Sequence, residues 1–268
     1  MHEHDDGGLQ QDLKLIHASM ERRTLLRLAL GASLVPLVGC GGEDSAEALG
    51  LTPSAGTCTT IPTETAGPYP GDGSNGPNVL TQTGIVRSDI RSSVGSATGT
   101  AAGIPLTVTL TLINSAGNCE PLAGYAIYLW HCDREGRYSL YSSGVTNQNY
   151  LRGVQATNAQ GQVTFTTIFP GCYSGRWPHI HFEVYPSLAS ATTAANKVAT
   201  SQLALPKASC DAVYATTGYS QSVTNLSRIS LSTDNVFRDG WTSQLANVTG
   251  NTTSGYVATL TVAIAVTR

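Results

Sequence analysis

Residues 171–185, GCYSGRWPHIHFEVY, gather two tyrosines, an arginine and a His-x-His pair into fifteen residues. In an extended strand, residues two apart project to one face, so His179 and His181 aim both imidazoles at one point while Ile180 and Phe182 face the other way. That spacing makes a two-toothed metal claw. The same pair also suits two solvated or hydrogen-bonded histidines, so the pair alone leaves both readings open. A zinc site would recruit a further His, Cys or carboxylate, and a ferrous oxygenase two histidines with one carboxylate. The only nearby acid, Glu183, continues the same strand face. Tyrosines in loops are the other candidate donors: Tyr173 just upstream, and Tyr138 in DREGRYSLY at the end of a predicted strand. Two phenolates are hard anionic donors that favour Fe(3+), so two tyrosinates with two neutral imidazoles suit non-haem ferric iron. Taken singly among eleven tyrosines, each is equally well explained as an aromatic wall or a strand-end hydrogen bond.

The elements that must position these residues are short strands. PLTVTLTLIN, GYAIYLWHC, GQVTFTTIFP, HIHFEVYP and GYVATLTVAIAV alternate, are rich in Thr, Val, Ile and Tyr, and are broken by Gly, Asn, Ser and Pro. No stretch after residue 45 sustains a long amphipathic helix, although LASATTAANKVAT at 188–200 has room for a turn or two. The expected architecture is an all-β sandwich whose long connections, 62–90 and 207–240, pack across one sheet and form a metal-containing pocket.

The N-terminal region reads separately. Arg22 and Arg23 precede an apolar run, too short to span a bilayer comfortably, that ends at Leu37-Val38-Gly39-Cys40. Twin arginines point to export of a folded protein, and the small residue before Cys40 resembles a bacterial lipobox, whose cysteine becomes a lipidated N-terminus. Met20, directly before Glu21-Arg22-Arg23, offers an alternative start. The expected organisation is an export signal at 1–39, a polar tether at 40–57 and one folded domain at 58–268, in a periplasmic or cell-envelope location with the membrane met only through the lipid. His2, His4 and His17 precede the cleavage point, so the exported chain retains His131, His179 and His181. It also retains 11 of the 15 basic and 13 of the 18 acidic residues, a charge near −2. With no basic cluster, nucleic acid is excluded as a partner. Cys58, Cys119, Cys132, Cys172 and Cys210 contain no CxxC pair. An oxidising compartment permits two disulfides among them and leaves one thiol. Cys132 and Cys172, which flank the candidate site, read as a staple of its loops.

LAGYAIYLWHCDREGRYSLY, followed by LRGVQATNAQGQVTFTTIFPGCYSGRWPHIHFEVY, resembles the core of the intradiol ring-cleavage dioxygenases, the protocatechuate and catechol dioxygenase family. The shared order is Trp and Asp before G-R-Y, then R-G, a G-x-x-x-F-x-T-I-x-P-G-x-Y turn, and R-x-x-H-I-H. TETAGPYP at 63–70 is similar to the family's T-x-G-P-Y segment and IVRSDIR at 85–91 to its R-S-D-I element, while DNVFRDGW and GYVATLTVAI fit an exported branch. Carried over residue by residue, the resemblance implies Tyr138, Tyr173, His179 and His181 as ligands of Fe(3+), and Arg176 facing the substrate. It places Tyr69 in the pocket wall and Gln202 behind the site, both among the substrate-binding residues, with Tyr138 and Arg176 as the catalytic ones. The implied reaction inserts O2 between the two hydroxylated carbons of a catechol to give a cis,cis-muconate-type diacid. Arg137 and Arg152 are the basic residues positioned to meet a substrate carboxylate. The chain departs from the family in lacking the helical N-terminal dimerisation segment of cytosolic catechol dioxygenases and in carrying Cys172 where Pro or His is expected. A homo-oligomer therefore stays an open assembly state.

Two other readings share the scaffold. One is an exported, non-catalytic β-sandwich binding module, which fold alone does not exclude. The other is a zinc hydrolase on the His pair, which lacks an acidic base and a third conventional ligand. The export reading makes its own prediction. Lysine at both Arg22 and Arg23 traps precursor in the cytoplasm, and Cys40→Ala moves the mature protein from the membrane to the soluble fraction. Both are read by fractionation and immunoblotting.

Overall fold

Alternation in PLTVTLTLIN becomes strand β1 (Pro105–Asn114), in which Leu106, Val108, Leu110 and Leu112 are buried and the intervening threonines face outward. The computed structural model describes residues 58–267; the predicted signal, the lipobox at Cys40 and the tether lie outside the described residues. Seven further strands follow: β2 (Ala126–Trp130), β3 (Arg152–Ala156), β4 (Gln162–Ile168), β5 (His179–Tyr185), β6 (Ala199–Ala204), β7 (Asn247–Asn251) and β8 (Gly255–Ile264). They form two four-stranded sheets, β4-β1-β8-β7 and β3-β2-β5-β6. The molecule is an all-β sandwich, as the alternation predicts. Between the sheets, Val108, Leu110 and Phe165 meet Leu129, Ile180, Phe182 and Leu203 in one apolar core. Among the described residues, no helix is long and apolar enough to cross a membrane.

Sequence patterning anticipates five of these strands but not β3, β6 or β7. RGVQA, ATSQLA and NVTGN are short and carry little of the β-branched and aromatic signal, and their partners decide them: β3 and β6 border the second sheet through β2 and β5, and β7 pairs with β8. The connection 207–240 also differs from the irregular loop expected. It contains helices α1 (Lys207–Tyr214) and α2 (Ser220–Leu226), each under three turns and neither with a side-chain N-cap. Too few residues remain for a 3.6-residue period to emerge. Segment 188–200 holds a single 3-10 turn, at Ala194–Asn196.

IVRSDIR joins the two sheets along one side. Arg87 N–H donates to Val154 O of β3 (3.0 Å) and Ile90 N–H to Thr166 O of β4 (3.0 Å), so one short segment spans an edge of each sheet. The Arg87 guanidinium reaches the carbonyls of Arg152 and Asn149, which fixes the start of β3.

Cysteine pairing overturns the expected staple. Cys58 is bonded to Cys119, and Cys132, Cys172 and Cys210 are buried free thiols. Burial raises the pKa of all three, Cys172 to about 12, which keeps them protonated and inert. The Cys58–Cys119 bridge ties the first described residue to the turn after β1 across a separation of 61 residues. Closing a loop of that length removes about 4 kcal/mol of chain entropy from the unfolded state. Cys58→Ser/Cys119→Ser is therefore expected to lose up to about 4 kcal/mol in urea denaturation, with the three buried thiols still resistant to a thiol reagent under native conditions.

Candidate metal centre

β2 and β5 are buried along their whole length, on both faces. One face packs on the inter-sheet core. The other carries His179, His181, Glu183 and Tyr185 on β5, and register places Trp130 of β2 and Gln202 of β6 on either side of His181. The Trp130 indole stacks on the His181 ring at 4.9 Å and 5°. Connections cover this face where solvent would otherwise lie.

Arg152, 1% exposed, holds part of that cover. Its guanidinium donates to Pro70 O (2.8 Å), Tyr69 O (2.9 Å), Ser139 O (3.0 Å), Ser139 Oγ (3.0 Å) and Tyr128 Oη (3.0 Å), tying TETAGPYP to the Tyr138 loop. Further along β5, Glu183 accepts from Lys197 Nζ (2.6 Å) and Tyr185 Oη (2.7 Å), and Lys197 also bridges Asp72 at 3.4 Å. Burial pushes the Glu183 carboxyl up to about 7 against the pull of Lys197. Asp72 ends below its ordinary value, because hydrogen bonds from Ser74 and the Lys197 charge outweigh its burial. Glu183 is thus engaged away from the histidines.

The two loop tyrosines meet because their loops touch backbone to backbone. Asp133 Oδ1 accepts the N–H groups of Glu135 (3.0 Å) and Arg137 (2.9 Å), folding DREGRY into a closed turn, and the Asp133 carbonyl accepts the Gly171 N–H at 3.0 Å. Glycine is required on both sides of this contact. A Cβ on Gly171 would sit 2.5 Å from Arg134 O, and one on Gly136, at φ +82°, would sit 3.0 Å from Tyr173 Cβ.

Four donor atoms converge there. His179 Nε2 lies 3.0 Å from His181 Nε2, 3.4 Å from Tyr138 Oη and 3.3 Å from Tyr173 Oη, and His181 Nε2 lies 3.2 Å from Tyr138 Oη. Donors about 2.0–2.1 Å from a common transition ion are spaced in just this range. The His179 Nδ1 faces the Trp177 carbonyl, which can only accept, so Nδ1 carries the proton and Nε2 turns a lone pair to the others. The His181 Nδ1 is buried without a hydrogen-bond partner among the described residues. Burial, then the Arg176 charge, hold His179 well below its usual pKa; burial, His179 and Arg176 do the same for His181. Both imidazoles are neutral at pH 7. Burial raises Tyr138 well above 10, with Tyr173 adding to the rise and Arg176 opposing it. Two imidazole Nε2 atoms 3.0 Å apart beside two phenol oxygens, in a buried site, fit a small cation of high charge that would turn phenols into phenolates. Among the described residues no group of three or more His, Cys, Asp and Glu is placed to hold a metal ion.

The other predicted residues are placed as follows. Tyr69 packs beside Tyr138, ring centroids 5.1 Å apart. Arg176, 1% exposed, donates from Nη2 to Gln202 Oε1 (2.6 Å) and from Nε to Asp234 Oδ2 (3.0 Å). Gln202 in turn donates to Thr65 O (2.9 Å), so it meets Arg176 rather than the four donors. His131 stands apart, donating from Nδ1 to Cys132 O (2.8 Å) and accepting from Thr167 Oγ1 (2.7 Å), with its pKa lowered to about 4 by burial. Neither arginine expected to meet a substrate carboxylate is placed for it: Arg152 is engaged as above, and Arg137 pairs with Asp133 (2.9 Å) and Glu135 (3.2 Å). Asp234 is the residue that sequence reasoning missed. An Asp two and three residues ahead of the N–H groups it accepts, Val236 and Phe237, is a recognisable Asx turn, but nothing local tells that its second oxygen reaches Arg176.

Residues 75–195 match the family model described as Dioxygenase (Dioxygenase_C), a span that contains Tyr138, Tyr173, Arg176, His179 and His181 and omits Tyr69, Gln202 and Asp234. An intradiol ring-cleavage dioxygenase from Tetranychus urticae is 27% identical, with TM-score 0.58, over 78% of this chain and 95% of its own. A second solved dioxygenase is 27% identical with TM-score 0.60 over the same shares. Over these spans the chain is similar to the intradiol ring-cleavage dioxygenases. No curated protein sequence matches it.

The touching loops generate a test. Gly136→Ala meets both an unfavourable left-handed backbone and the Tyr173 Cβ, so it should cost about 1–2 kcal/mol in thermal or urea denaturation and reduce bound metal measured by elemental analysis.

Proposed function

We propose that the chain is a non-haem ferric dioxygenase that opens a catechol between its two hydroxylated carbons, adding both atoms of O2 to give a cis,cis-muconate-type diacid. What supports this reading above all is the convergence of Tyr138, Tyr173, His179 and His181 donor atoms at 3.0–3.4 Å on a buried face. Those four residues would hold Fe(3+), which when bound supplies a Lewis acid that chelates the catechol oxygens and activates the ring toward dioxygen. Tyr138 Oη, against both histidines, is the protein atom to which a catechol hydroxyl proton passes. Arg176, held by Gln202 and Asp234, presents a fixed planar cation to the negative charge that builds on the ring. Tyr69 walls the pocket, and the cover held by Arg152 keeps water from the reacting face. The second reading, a binding module on the same scaffold, requires none of these donors to converge. The export segment 1–39 and Cys40 extend the proposal to an enzyme exported to the envelope, its domain at 58–268.

The committed arginines set the substrate class. With Arg137 and Arg152 engaged, neither pairs with a ring carboxylate. Leaving such a group unpaired costs at least about 1–3 kcal/mol, so neutral catechols are expected to exceed carboxylated ones in kcat/KM by about tenfold or more. The assignment as a whole is checked by an optical spectrum with elemental analysis. Iron-loaded protein shows a tyrosinate-to-ferric charge-transfer band that shifts or fades in Tyr138→Phe and Tyr173→Phe, while His179→Ala and His181→Ala lose most of the iron. Stoichiometric zinc with no colour, or an unchanged spectrum and ring cleavage in Tyr173→Phe, favours the binding module.

A further inference from the structure

The buried carboxylate of Asp234 lies outside the stretch matched by the family model and has no part in the four-donor set. It is 0% exposed, and each oxygen accepts two hydrogen bonds. Oδ1 takes the N–H groups of Val236 (2.8 Å) and Phe237 (3.1 Å), on its own segment. Oδ2 takes Arg176 Nε (3.0 Å) and Trp177 N–H (2.7 Å), on the segment that leads into β5. Trp177 in turn offers its carbonyl to Nδ1 of His179, and the Phe237 ring lies 6.5 Å from the His179 ring. One side chain thus holds the guanidinium directly and the first histidine through a single intervening residue.

We infer that Asp234 is a positioning residue of this centre, orienting Arg176 toward the substrate. This assignment rests on the dioxygenase reading. A guanidinium on a flexible chain serves a transition state only if its plane is set in advance. Here it is gripped from two elements far apart in sequence, by Asp234 at Nε and by Gln202 of β6 at Nη2. The carboxylate is chemically specific. Both of its oxygens face N–H donors, so an asparagine would turn its NH2 against one pair of donors whichever way it is flipped. Removing the charge also takes from the buried guanidinium the carboxylate that lies 3.0 Å from its Nε.

The test uses the full-length, iron-loaded protein with catechol as probe, comparing wild type, Asp234→Asn, Arg176→Gln and the double variant. Asp234→Asn is expected to keep its iron and charge-transfer band while kcat falls about 100-fold and KM changes much less, as for loss of one preorganised charge. In the Arg176→Gln background, the same substitution should change kcat/KM by less than about threefold, because its effect passes through the arginine. Wild-type kcat in Asp234→Asn overturns the assignment, and so do losses that multiply in the double variant, which mark a general structural role. If Asp234→Asn does not fold, Asp234→Glu keeps the charge but shifts the guanidinium; reduced kcat with the band intact upholds the assignment and wild-type kcat overturns it. A wild-type protein that binds no iron or leaves catechol intact overturns the dioxygenase reading and this assignment with it. An active wild type beside an active Asp234→Asn overturns this assignment alone.

Discussion

The site depends on one close backbone contact, the Gly171 N–H donating to the Asp133 carbonyl at 3.0 Å. It joins two loops with no regular structure, each carrying one tyrosine to the mouth of β5. Histidines two apart on a strand would face one point in almost any sandwich. Bringing two phenol oxygens within 3.2–3.4 Å of their Nε2 atoms requires the loops to approach without side chains between them. Gly136 and Gly171 leave that space, and Asp133 closes its own turn while presenting the carbonyl that receives Gly171.

The rest of the cover answers to burial. A sandwich strand normally packs one face on the core and leaves the other wet, but β2 and β5 are dry on both. Trp130 Nε1 and His181 Nδ1 on the second face have no hydrogen-bond partner among the described residues, whereas the charged groups there are matched by groups reaching across long sequence separations. Arg152 meets five neutral acceptors, Glu183 shares Lys197 with Asp72, and Arg176 lies between Asp234 and Gln202. In the low dielectric so created, both imidazoles stay neutral and the Tyr138 phenol stays protonated. The same dryness explains the three free thiols, which burial keeps protonated close to the site.

Strands β1, β2, β4, β5 and β8 were legible because their alternation is a physical consequence of having a core to face: PLTVTLTLIN and HIHFEVY carry their side-chain directions in their spacing. Resemblance to the family was legible for a related reason, since G-R-Y, P-G-x-Y and H-I-H carry the glycines and side chains that meet at the loop contact. The border strands β3, β6 and β7 and the two short helices were not, because each exists through its neighbours and carries too few residues for a period of its own. Cysteine pairing was equally hidden, for thiol positions in a sequence carry no distances.

By itself the sequence determined an all-β sandwich, the face to which His179 and His181 point, and the residue types from which a metal centre could be drawn. All of these follow from local spacing and from donor chemistry. Only the tertiary structure decided that Arg137 and Arg152 serve the fold, that Cys58 pairs with Cys119, and that Asp234, 58 residues from Arg176, completes the grip on the guanidinium. The physical reason is common to all three. A charge or a thiol is satisfied by whatever lies within a few ångströms, and for buried groups that neighbour is set by how the loops close over the sheet.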